Sequence, residues 1–353
     1  MSKINIIYLV PELKGAAGGA KVVYDHSFIL NNINNSVESE ILHLKKNLLY
    51  KLKLSLEKKL SLSDTKSSGW DGAKMKVAKN FLPNKNWYNK EIKTAKNLQF
   101  NNKKDFVIIP EIFSHFAIDL NLKKKNIKYG IFVQGSYHMN TTSDFKKIKS
   151  SYENANIIIV SSDNSKDFVN QLFPKCKNKI FKVSISVDSL RYDKKNKKEN
   201  FITCMPRKLP VHYLLLDFYL KNKLPKNWKI DRLDNIDEKT LIHKINRSKI
   251  FLSFSHLEGL GLPPIEAALA KNLVIGYNGG GGKEYWKKPI FHEIKYGEIK
   301  EFGDKILKEI NNYNTQWIKK TTLQRTQLLN RYSKKTEKKM LVALSNKITN
   351  FFN

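Results

Sequence analysis

The stretch Ile250 to Trp286, IFLSFSHLEGLGLPPIEAALAKNLVIGYNGGGGKEYW, constrains the fold more than any other part of the chain. Its opening apolar run, Ile250 to Phe254, has the length and composition of a strand buried on both faces. A loop with Gly259 and Gly261 follows, then Pro263 and Pro264, which suit the first turn of a helix because proline loses no hydrogen bond there. Ile265 to Lys271 reads as alanine-rich helix and Leu273 to Tyr277 as a second buried strand. Asn278 to Gly282 reads as a glycine-rich turn before a further helix. This β-loop-α-β grammar belongs to a parallel α/β sheet.

Within that unit, Glu258 falls in the loop at the carboxyl end of the first strand, where ligands of open α/β sheets bind. Glu266 follows in the first turn of the helix, so both carboxylates can face one crevice. Gly259 and Gly261 allow backbone amides to approach a ligand, and a helix amino end favours phosphate.

The segment EGLGLPPIEAALAKNLVIGYNGGGG resembles the donor-binding motif of the family 4 (group 1) retaining glycosyltransferases, E-G-x-G-L-x-x-x-E-A. Both glutamates, both glycines, the following leucine and the alanine after the second glutamate match. The resemblance implies a GT-B architecture: two Rossmann-like domains with parallel sheets facing across a cleft, and a C-terminal helix crossing back to the first domain. It further implies that Glu258, Gly259, Leu260, Gly261, Leu262 and Glu266 contact a nucleotide-sugar donor. Glu266 would hold the ribose hydroxyls, and Glu258 would act in catalysis near the sugar.

A chain of 353 residues is long enough for two cores. Two cysteines, Cys176 and Cys204, make no disulfide framework. MSKINIIYLV carries too short an apolar run for a signal peptide, and no run approaches a membrane span. A cytoplasmic protein is expected, or one peripheral on the cytoplasmic face of the inner membrane. The 64 Lys and Arg against 32 Asp and Glu give a net charge of +32. Such an excess attracts polyanions of any kind, and the same lysine richness arises from A/T-rich coding alone.

Read in order, Lys3 to Val10 is a strand, and Gly18 and Gly19 lie in the turn before a helix from about Lys21. The resemblance places this Gly-Gly-Ala near the donor phosphates. Val37 to Leu44 is the next strand. Leu44, Leu48, Leu52, Leu56 and Leu60, with lysines between them, read either as a basic amphipathic helix for an anionic membrane surface or as a core helix with solvated lysines. Asp105 to Pro110, Lys128 to Val133 and Asn156 to Ser161 are buried strands. The resemblance implies that polar residues after these strands touch sugar or acceptor; Glu111, His115, Gln134, Tyr137 and His138 take that role by position, His115 as a catalytic group.

The domains are expected at 1–187, binding acceptor, and at 201–325, binding the nucleotide sugar, with 326–353 as the returning helix. The stretch Asp188 to Asn200 reads as linker by its charge and loss of periodicity. Phe201 to Met205 opens the second domain, and Arg207 and Lys208 at its carboxyl end suit a diphosphate. The family's usual lysine a few residues later is absent: His212 and Tyr213 stand there.

No P-loop, zinc-spaced Cys/His cluster, Asp-x-Asp or G-x-S-x-G occurs. The resemblance makes the first expectation a glycosyltransferase moving a sugar from a nucleotide-diphosphate donor to a glycan or lipid-linked acceptor, with retention, without a metal and with no cofactor. Bacterial surface polysaccharide or lipooligosaccharide synthesis is the setting that the resemblance implies. A nucleotide-sugar epimerase or a phosphorylase on the same scaffold is the second reading. A basic, non-catalytic binder of nucleic acid or membrane is the third, and no nucleic-acid-binding motif supports it.

Overall fold

The computed structural model describes residues 3–45 and 75–353, apart from 14, 16, 34, 35, 86, 141–143, 193–196 and 315. The leucine-lysine stretch from 46 onwards lies outside the described residues. Contacts divide the chain into two compact units, 1–183 with 338–353, and 184–337.

The first unit is built on a seven-stranded sheet, β1 (Ile4–Pro11), β2 (Val37–Lys45), β3 (Lys76–Val77), β4 (Asp105–Pro110), β5 (Lys128–Val133), β6 (Ile157–Val160) and β7 (Ile180–Lys182). Its order is β3-β2-β1-β4-β5-β6-β7. All pairs are parallel except β2 with β3. β4 is buried at every residue, and β1 at all but its last. Uninterrupted burial of this kind arises when helices cover both faces of a parallel sheet. Helix Gly18–Asn31 returns the chain from β1 to β2, burying Val22, Val23, Tyr24 and Leu30.

The second unit carries β8 (Glu199–Cys204), β9 (Lys229–Arg232), β10 (Ser248–Glu258), β11 (Leu273–Gly280) and β12 (Phe291–Glu293), in the order β12-β11-β10-β8-β9 and all parallel. Its core joins Ile202, Leu216, Ile250, Leu252, Ile275, Phe302 and Ile306. Each sheet therefore has one topological switch point, between β1 and β4 in the first and between β8 and β10 in the second. At such points the connections leave in opposite directions and open a crevice at the strands' carboxyl ends.

Several boundaries differ from the sequence expectation. Helix Gly18–Asn31 begins at the glycine pair, so Gly18 and Gly19 form its first turn instead of a loop before it. The helix expected after the glycine run is a single 3-10 turn, Gly281–Glu284, because Gly279 and Gly280 turn the chain through φ values of 67° and 84°. The returning helix expected over 326–353 is divided between Thr322–Arg331 and Lys334–Thr349, after a short helix Gln316–Lys320. Within Lys334–Thr349 the chain passes from the second unit to the first at 337/338. Phe351 stacks on Phe106 at 5.9 Å, and the Lys128 ammonium lies 5.3 Å from the Phe352 ring. The stretch read as a linker is tied into the second unit. Ser189–Tyr192 is a helical turn, Arg191 pairs with Glu238 at 2.6 Å, and Asn246 donates to the Arg191 carbonyl at 2.8 Å.

Candidate functional site

The motif is built at the switch point of the second sheet. β10 pairs with β11 in register as far as Ser255 and slips before Glu258, which pairs with Gly280. Within this irregularity Leu257 takes φ 48°, a left-handed conformation that costs a branched side chain energy. Such a distortion re-aims the residue that follows it. Glu258 consequently meets Lys208 from the end of β8, with Nζ 2.7 Å from Oε1, and the same ammonium donates to the His256 carbonyl at 3.3 Å. Both side chains are part-exposed, at 38% and 27%. A pair this open contributes at most about 1 kcal/mol to stability, so the fold does not require it.

The loop around Glu258 leaves no room for side chains. Gly261 sits at φ 80°, and the Tyr285 hydroxyl donates to its carbonyl at 2.6 Å. A Cβ on Gly281 would lie 2.1 Å from the Gly259 carbonyl oxygen and 2.6 Å from that of Glu258. Backbone here packs on backbone, which only glycine permits. Tyr285 is fully enclosed, and burial first, then Tyr332 and Glu258, pushes its phenol well above its ordinary value. It therefore acts as a neutral donor that fixes the loop.

Helix Leu262–Leu269 starts from this loop, with Gly261 as N-cap. Its amino end is poorer in donors than an ordinary helix. Pro263 and Pro264 have no amide hydrogen, so of the first four helical positions only Leu262 and Ile265 offer one. An anion at this end draws on the axial dipole, those two amides and the nearby Lys208 cation. Glu266 lies one turn in and is half-buried. The Tyr192 hydroxyl is hydrogen-bonded to it; burial, followed by the Glu266 charge, holds the Tyr192 phenol far above its usual range. Arg207 is exposed beside Lys208 in the 3-10 turn Pro206–Lys208.

The first unit gathers a second group at its own switch point. Glu111, immediately after β4, accepts from the Gly135 amide at 3.0 Å and the Gln134 amide at 3.2 Å. Burial pushes its carboxyl up to about 7, against the opposing effect of those backbone donors. Glu111 is thus a strut for the β5 exit loop. Gln134, held by it, reaches to within 2.8 Å of where a Cβ on Gly19 would stand. Tyr137 packs at 6.0 Å on Phe168, and His138 is exposed at the end of the turn Ser136–His138. His115 is 1% exposed, its ring edge-on to Phe116 at 4.4 Å, so its imidazole is part of the core of this unit.

The structure therefore brings Lys208, Glu258 and the Gly259–Gly261 loop together, and separately Gly19, Glu111 and Gln134. Sequence reasoning missed Tyr285 and Tyr192. Both lie outside the motif, and a lone tyrosine next to a tryptophan or in a charged stretch carries no pattern that could have revealed them. Among the described residues, no group of three His, Cys, Asp or Glu is disposed to hold a metal ion, and no helix is long and apolar enough to cross a membrane.

Neither a family profile nor a curated protein sequence matches this chain. Solved structures do match over its whole length. A glycosyltransferase from Rickettsia africae superposes with TM-score 0.64 at 16% identity, covering 99% of each chain. An S. aureus TarM mutant in complex with fondaparinux, alpha-GlcNAc-glycerol and UDP gives 0.62 at 16% identity, covering 99% of this chain and 100% of that one. The pneumococcal O-GlcNAc transferase GtfA in complex with UDP and GlcNAc gives 0.61 at 12% identity over 99% of each. The chain has the GT-B fold.

Proposed function

We propose that this protein is a glycosyltransferase that moves a sugar from a nucleotide-diphosphate sugar to a glycan or glycolipid acceptor, with retention of configuration, without a metal ion, and in bacterial surface polysaccharide or lipooligosaccharide synthesis. The observation that carries the reading is the Lys208–Glu258 pair at a switch point, set in a loop that only glycines can build. Its neighbours in structure include proteins solved with UDP, which supports a nucleotide sugar as the donor. Its location would be the cytoplasm, or the cytoplasmic face of the inner membrane.

In this reading Lys208 and Arg207 receive the diphosphate, helped by the dipole of Leu262–Leu269. Because the two prolines remove amides, the cations carry more of the leaving-group charge than a normal helix end would require. Diphosphate binding draws the Lys208 ammonium from Glu258 and frees the carboxylate to hold the sugar or to steady positive charge developing on it. Glu266, positioned by Tyr192, holds the ribose hydroxyls. The test is a melting-temperature screen with UDP-, GDP-, ADP- and CMP-sugars on the parent and on Glu266→Ala. A donor that binds the native state raises the melting temperature, and the variant should lose most of that rise. An equal rise in both proteins would remove Glu266 from the donor site.

A further inference from the structure

A pocket unused by the donor reading opens in the first unit at the carboxyl ends of β1 and β2. It is open to solvent, has a volume of about 750 Å³ and, among the described residues, is lined by Lys45, Lys76, Lys79 and Lys96 with one carboxylate, Glu12. That volume suits one or two sugar rings. Its walls are set by backbone hydrogen bonds: the Glu12 amide donates to the Leu44 carbonyl at 2.8 Å, Ala78 to His43 at 2.9 Å, and Ala95 to Ile41 at 3.0 Å. Phe81, edge-on to His43 at 4.8 Å, supplies an aromatic wall of the kind on which a sugar face rests.

Some lysines elsewhere in the unit have carboxylate partners: Lys90 with Asp25, Lys93 with Glu38 at 4.0 Å, Lys147 with Asp119 at 2.5 Å, and Lys182 with Asp163 at 2.7 Å. Among the described residues none of the four pocket lysines forms such a pair. Lys45 and Lys76 are moreover direct cross-strand partners in the antiparallel β2–β3 ladder. Like charges facing one another across a ladder destabilise it. Diffuse lysine enrichment does not explain why the repulsive pair, two more cations and a concave wall coincide, whereas an anionic occupant does.

We propose that this pocket binds an acceptor glycan bearing oxyanions, phosphate or carboxylate groups, whose charges bridge Lys45 and Lys76 while a ring lies against Phe81. The proposal rests on the glycosyltransferase reading and specifies its acceptor. The shared chemistry of glycan phosphate and lipid headgroup phosphate is separated by the probes.

The test uses the full-length protein, tripolyphosphate as soluble anion, and phosphatidylglycerol/phosphatidylcholine vesicles. Lys45→Gln with Lys76→Gln is compared with Lys123→Gln with Lys124→Gln, exposed lysines at the opposite, amino-terminal end of β5. Calorimetric titration is expected to show tripolyphosphate binding weakened at least about tenfold by the pocket change and less than about twofold by the control. The melting temperature of the pocket variant should stay level or rise, since a repulsion is relieved; this distinguishes lost binding from lost structure. Equal losses in the two variants would mean a diffuse basic surface and overturn the proposal, as would no loss in the pocket variant. Vesicle flotation abolished by the pocket change, with tripolyphosphate binding intact, would make the site a membrane contact and also overturn it. Melting shifts with UDP, GDP and ADP are recorded on the same proteins. Their absence from the parent refutes the donor reading and leaves the anion site standing, and the converse result does the reverse.

Discussion

Gly281→Ala is the sharpest structural perturbation of the candidate site. The added methyl would stand 2.1 Å from the Gly259 carbonyl oxygen, 2.4 Å from its carbon and 2.6 Å from the Glu258 carbonyl oxygen. Ordinary non-bonded separation is ~3.5 Å, so the Glu258 loop must retreat by more than ~1 Å. The loop cannot slide freely, because Tyr285 grips the Gly261 carbonyl at 2.6 Å. Overpacking of this severity costs ~3 kcal/mol, equivalent to a fall of ~6–12 °C in the melting temperature of a unit this size. A displacement of ~1 Å of a positioned group also lowers turnover ~100-fold. Gly18→Ala is the control for the melting readout, since nothing lies within 4 Å of its added methyl. Differential scanning calorimetry and a donor-hydrolysis or transfer assay give the two readouts. A Gly281→Ala protein that melts within ~1 °C of the parent and retains its turnover would refute the proposed crowding around Glu258.

Three further outcomes are expected. Glu258→Gln should reduce sugar transfer at least ~100-fold while leaving the melting temperature nearly unchanged, because its ion pair is part-exposed; loss of stability in step with activity would assign the residue a structural role. Tyr285→Phe removes a buried hydrogen bond to Gly261 and should cost ~1–2 kcal/mol by denaturant titration; no change would mean that the loop does not need this restraint. Glu111 should make stability fall as pH rises. Burial lifts its carboxyl from 4.5 to about 7, so the folded state binds more protons than the unfolded state between those values. His43, lowered by burial to about 4, acts with the opposite sign below its ordinary 6.5, and Lys198, lowered by burial to about 7, acts with the opposite sign above that value, so the readout is the difference between parent and variant from pH 4.5 to 7. Over that range the parent should lose stability that Glu111→Gln does not, and parallel profiles would show that Glu111 does not titrate there.

Much of the fold was legible because parallel strands buried on both faces announce themselves as apolar runs. Asp105–Pro110 and Lys128–Val133 appear at the residues expected. The motif loop was legible for a different reason: glycines and prolines restrict the backbone locally, so spacing alone put Glu266 in a helix and Glu258 near a strand's carboxyl end, although the strand runs on through Glu258 instead of stopping at Phe254. What sequence could not convey was contact at a distance. The partner of Glu258 is Lys208, fifty residues away, and adjacency arises only because β8 and β10 pair in the sheet. Glu111 reads in the sequence as a group that touches sugar or acceptor, yet the β5 loop folds over it and turns it into a strut. The charged stretch after Val187 lacked periodicity, and periodicity cannot reveal a single helical turn whose function is to bring Tyr192 to Glu266.

The central claim is that the second unit grips an activated sugar through Lys208, Glu258 and Glu266. Isothermal titration of the full-length protein with the nucleotide sugar selected by the melting screen, repeated on Lys208→Ala, tests it most directly. The account predicts one-to-one binding in the parent and affinity at least ~10-fold weaker in the variant. Nucleotide-sugar binding that is indifferent to Lys208, or absent for every nucleotide tried, would contradict it.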